Sequence, residues 1–185
     1  TKALLDQTLW KQVKSFSQSE EAQSLEGQEK RLLDELVADF VEAGANLPED
    51  KRTQLEKLST ELAQVTQKFS ENVLDSTNAW QKNIGDESLL EGLPESAKIA
   101  AREMAKQKER DGWLVTLHAP SIMPIMKYLD SSSIRREFWE KSSKIGWTED
   151  RDNTDLIRKI LELRQEKALL LGKKDYADVM LERRM

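Results

Sequence analysis

The sequence contains no cysteine and only one histidine, His118. Without cysteine there is no disulfide framework, which fits a reducing compartment such as the cytoplasm. A single histidine excludes a zinc hydrolase site built from this chain alone, because such sites take three protein ligands and leave one position open for water. Glycine and proline are scarce, at 7 and 4 residues. There is accordingly no glycine cluster to cradle phosphate and no Gly-x-Ser-x-Gly elbow to expose a nucleophile. The longest apolar runs, such as Ala168 to Leu171, are far too short to span a bilayer. Positive charge forms no stripe: 29 basic and 34 acidic residues are mixed along the chain, for a net charge of -5. Neither nucleic acid nor membrane is an expected partner.

Leu, Glu, Lys, Gln and Ala dominate instead, which favours helices joined by short loops. The expected fold is mainly α, one multi-helical domain over 1–185 with a single small antiparallel strand pair. Leu4, Leu5, Leu9 and Val13, then Leu25, Leu32, Leu33, Leu36, Val37 and Phe40, recur near every 3.6 residues and predict two helices, the second closed by Gly44. Pro48 stands where a first helical residue belongs, with Glu49 and Asp50 complementing the helix dipole. Leu55, Leu58, Leu62, Val65, Phe69 and Val73 then form the longest apolar stripe, on which Leu62 and Phe69 are expected to be buried. Periodicity fails after Asp75-Ser76-Thr77-Asn78. Trp80 to Ile84 and Trp113 to Leu117 alternate between apolar and polar and are the two strand candidates. Further helices are expected over about Glu95–Arg110, Pro124–Leu129, Ser132–Ser143 and Thr154–Leu171, with Asp175 capping a last one.

Most tests for chemistry return bland answers. His118 ends a predicted strand just before Ala119-Pro120 and reads as a structural or solvent-facing residue. A calcium loop begun at Asp150 needs Gly at position 155 and Glu at position 161, where the chain has Asp155 and Leu161, so this stretch reads as an acidic loop and helix cap. Of the five tryptophans, Trp80 and Trp113 fall in the strand pair and read as core. Trp147 sits in the polar loop Gly146 to Asn153, the longest stretch without helical period, and is the one whose exposure carries meaning.

Several elements in order resemble a known family. Phe40-x-x-x-Gly44-x-x-Leu47-Pro48 precedes Leu55-x-x-Leu58-x-x-x-Leu62, Phe69 and Asn72-Val73-Leu74-Asp75. Gly92-Leu93-Pro94-Glu95-Ser96-Ala97 follows, then Trp113 to Leu117 leading to Pro120-Ser121 and Pro124-Ile125-Met126, Arg135-Arg136-Glu137 and Asp152-Asn153. The series ends with Ile160-Leu161-x-Leu163-Arg164-x-Glu166-x-Ala168-x-Leu170-Leu171-Gly172 and Tyr176-Ala177. From about Leu25 to Met185 this order resembles the amino-terminal lobe of the thimet oligopeptidase and oligopeptidase A family of zinc metallopeptidases, most nearly bacterial oligopeptidase A. The loop Lys144 to Asp152 looks short beside such relatives, and the family's His-Glu-x-x-His helix is absent.

The resemblance implies a monomeric, mostly helical, two-lobed enzyme. Zinc would lie at the floor of a deep channel that admits short unstructured peptides and excludes folded proteins. The present chain would be channel wall, with no catalytic or metal-binding residue and no zinc of its own, and Trp147 as its candidate for the channel rim. Thr1 in place of an initiator Met, and the end at Arg183-Arg184-Met185 without a helix stop signal, read as a piece of that longer protein. The competing expectation is a non-enzymatic interaction module that offers the Leu55 to Val73 stripe to a partner helix.

Overall fold

The computed structural model describes residues 3–148 and 150–183, so expectations that touch Thr1, Lys2, Glu149, Arg184 and Met185 lie outside the described residues. Among the described residues the architecture is mainly α, with nine α-helices and one two-stranded antiparallel sheet. The chain divides into two compact units. One holds the residues up to Val65 together with those from Lys159 onward, and the other is Thr66–Arg158.

In the first unit, Asp6 caps α1 (Gln7–Ser17) by accepting from the Thr8 and Leu9 amides. This helix is followed by the one-turn α2 (Glu20–Gln23), which Ser19 caps and no apolar period announced. The next helix, α3 (Gly27–Glu42), closes as expected at Gly44. There φ is 84°, the Ala45 amide donates to Phe40 O at 2.9 Å and the Gly44 amide to Val41 O at 2.9 Å. A Cβ on residue 44 would also collide with the Leu55 side chain at 2.4 Å, so glycine serves both the turn and the packing. Trp10 stacks on Phe40 at 5.3 Å, and with Ala45 they form a small buried cluster flanked by Leu4, Val13 and Val37.

The long helix α4 (Glu49–Ala79) begins after Pro48 and contributes to both units. Leu55 and Leu58 are buried on it, whereas Leu62, Val65 and Phe69 are only partly buried, short of the full burial expected for Leu62 and Phe69. The helix outlasts its apolar stripe because the inward positions continue at Asn72 and Ser76, buried polar residues that extend the three-and-four spacing.

In the second unit, β1 (Gln81–Ile84) pairs antiparallel with β2 (Trp113–Thr116), Ile84 opposite Trp113 and Gln81 opposite Thr116. The strands fall where the alternating pattern put them. The sheet packs against α5 (Glu95–Gln107), α6 (Ala119–Tyr128) and α7 (Ser132–Ser142) around one continuous core that includes Leu90, Val115, Ile125, Leu129 and Phe138. Trp80 meets Phe138 edge-on at 4.8 Å. Helix α6 starts five residues before the expected Pro124. Pro120 occupies its first turn, where a missing amide hydrogen costs nothing, and Pro124 forfeits one bond near the start. Two further helices complete the chain: α8 (Thr154–Leu170), closed by Gly172, and α9 (Tyr176–Leu181), capped by Asp175 through the Asp178 amide.

Candidate functional site

The loop between α7 and α8 is held at its base. Asn153 is buried and bonded on every side. Its Oδ1 accepts from Asn72 Nδ2 at 2.9 Å, its Nδ2 donates to Phe69 O at 3.2 Å, and its amide donates to Gly146 O at 2.8 Å. Its own carbonyl accepts from the Ile157 amide at 2.8 Å, which starts α8. Gly146 has φ 73°, and a Cβ there would stand 2.9 Å from Asn153 Nδ2, so the loop closes only over glycine.

Next along the chain, Asp152 accepts from the Thr154 hydroxyl at 2.7 Å and from the Thr154 amide at 2.8 Å. These two bonds, the hydroxyl's first, hold its carboxyl below the usual range. Trp147, next to Gly146, is 69% exposed, its amide donating to Lys144 O at 3.0 Å. The result is an indole presented to solvent from an anchored base, an arrangement suited to contacting a ligand and not to breaking bonds.

The other tryptophans sort by burial. Trp10 and Trp113 are buried and Trp80 packs against the core, as the alternation implied for the last two. Trp139 on α7 is exposed, a second free indole that sequence reasoning did not single out. The signal was there: Ile134 and Phe138 set the inward face of α7, which turns the next residue outward by ~100°.

His118 precedes α6, is exposed, and shares a 2.9 Å hydrogen bond between Nε2 and Asn78 Oδ1. It borders a cavity of about 190 Å³ lined mainly by Leu93, Ala97, Ala101, Val115 and Ile125. Besides His118 the lining brings one hydroxyl, Ser121, whose Oγ accepts from the Thr116 amide at 3.0 Å, and it is otherwise apolar. Among the described residues no three His, Cys, Asp or Glu side chains gather as a metal site.

Known peptidases resemble this chain. A family model described as Peptidase family M3 matches residues 125–185. Oligopeptidase A of Salmonella typhimurium is 38% identical over 162 residues, which is 85% of this chain and 24% of that protein. A probable cytosolic oligopeptidase A of Arabidopsis thaliana is 35% identical over 184 residues, 96% of this chain and 26% of that protein. The chain is thus similar to peptidases of family M3. More distant M3-type similarity extends to the dipeptidyl carboxypeptidase of Escherichia coli, 30% identical over 179 residues, 94% of this chain and 26% of that protein. The chain spans about a quarter of the length of the curated relatives it matches. The anchored Trp147 loop lies inside the M3-matched segment, as do α7 and α8.

Proposed function

We propose that this chain is the helical, non-catalytic part of a zinc-dependent oligopeptidase that hydrolyses short unstructured peptides. The observation that carries the reading is the similarity to oligopeptidases A of a chain with one histidine and no cysteine, in which no three candidate ligands gather among the described residues. Chemistry is assigned to the part of the polypeptide outside these residues, where the zinc helix is expected. The chain itself, taken as one helical domain of a two-lobed enzyme, contributes wall and selects peptides by shape. Trp147 is the rim candidate, supported by its exposure on an anchored loop. The cytoplasm is the proposed compartment and the monomer the proposed state. The first is supported by the lack of cysteine and of any helix long and apolar enough to cross a membrane among the described residues. The interaction-module alternative is disfavoured because Leu55 and Leu58 of its supposed docking stripe are buried within the chain.

The test is steady-state kinetics of the full-length protein on peptides of graded length, with and without chelator. Zinc-restorable cleavage of short peptides is expected, with folded proteins spared. A passive rim acts on binding more than on the chemical step, so Trp147→Ala should shift length preference and KM more than kcat. Full-length protein without peptidase activity overturns the reading. Unchanged length dependence in a stable Trp147→Ala enzyme removes the loop from it.

A further inference from the structure

In the first unit, Leu9, Val13 and Phe16 of α1 face Leu32 and Leu36 of α3 across an open groove of about 420 Å³. Only Gln12 and Glu29 bring polar side chains to its walls. Both helices already bury another face, where Trp10 stacks on Phe40, and Leu33 in the wall of the groove is itself buried. Leu9 sits ~100° around α1 from the buried Trp10, and Leu32 the same turn around α3 from the buried Leu33. Helices apolar on two sides are packed on two sides, yet Leu32 is 70% exposed and Leu9 and Phe16 are exposed with it.

The spacing Leu9, Val13, Phe16 against Leu32, Leu36 makes a trough bounded by two helices, which fits the apolar stripe of a third. Charge gives no reason to seat an acidic or basic peptide there. Lys30 and Asp34 on α3 pair with each other at 2.8 Å, and the walls are otherwise apolar. Length names the occupant. The relatives are about four times as long as this chain, so on the reading proposed above most of the polypeptide lies outside it. We infer that the groove between α1 and α3 seats an apolar helix face from the remainder of the same polypeptide. This rests on the chain being part of a longer M3 peptidase.

These 185 residues contain no cysteine, so a thiol placed here can be mapped by peptide mass in the full-length protein. Leu32→Cys should react with a maleimide at least about 30-fold more slowly than a Glu56→Cys control on the exposed face of α4, because reaction then waits on local opening. Equal rates overturn the inference. Protection lost on dilution would assign the groove to a second copy, and protection appearing only with added peptide would assign it to substrate. Either overturns it too. If Leu32→Cys does not accumulate as folded protein, hydroxyl-radical oxidation of Phe16 in the unaltered enzyme gives the same reading. Oxidation as fast in native as in urea-unfolded protein counts against a covered groove. Peptidase activity of the same sample separates the two proposals: protection without activity keeps the groove and discards the enzyme, and activity without protection does the reverse.

Discussion

The two units use similar apolar residues to different ends. Thr66–Arg158 wraps a sheet and three helices around one continuous core of eleven buried residues, from Ile84 to Phe138. In the other unit α1 and α3 close only a small cluster of Trp10, Phe40 and Ala45 and leave Leu9, Phe16 and Leu32 exposed beside it. The closed unit has a sheet whose face must be covered and helices on hand to cover it. The open one has helix pairs, and a helix pair buries one stripe of each member. Apolar residues alone do not give closure when the elements differ in how many faces they present.

The largest effect expected is in the closed core. Phe138→Ala removes a fully buried ring set edge-on against Trp80 and should cost about 3–5 kcal/mol in denaturant unfolding. An unchanged midpoint would break the contrast between the units outright. Next is the buried amide at the loop base. Asn153→Ala strands Asn72 Nδ2 and should cost about 1–3 kcal/mol, while making Trp147 fluorescence easier to quench. Loss of stability with no change at Trp147 would mean that the loop does not depend on this anchor.

Phe69→Ala should cost about 1–3 kcal/mol, less than Phe138→Ala, because the ring is only partly buried. A larger loss than at Phe138 would reverse the ranking of the two sites. The smallest effect is electrostatic. Hydrogen bonds from Thr154 lower the Asp152 pKa in the folded state, so unfolding takes up a proton on the acid side. The stabilisation is present above the ordinary carboxylate value of about 4 and is lost as pH falls through the lower folded value. Asp152→Asn should flatten that acid limb of stability, and an unaltered limb would assign it to other carboxylates.

Element type was largely legible from the sequence. Period 3.6 located the long helices, alternation located β1 and β2, and Gly44, Pro48, Gly172 and Asp175 stood where helix ends form. What escaped depended on local bonds without a pattern. The one-turn α2 rests on the Ser19 cap, and α4 continues past Val73 because polar Asn72 and Ser76 take inward positions. Of the site, Trp147 could be named from its polar loop, but its support could not. Asn72 and Asn153 are 81 residues apart in the chain, and nothing in either neighbourhood foretells that one amide meets the other.

By itself the sequence determined the helical class and the strand pair, because periodicity and turn chemistry are local properties. Its order of motifs also pointed to the peptidase family. Only the tertiary structure decided which apolar stripes are spent in a core and which remain open, and which tryptophans are buried or displayed. Those outcomes depend on what lies across from each side chain, a relation between distant segments that no local pattern encodes.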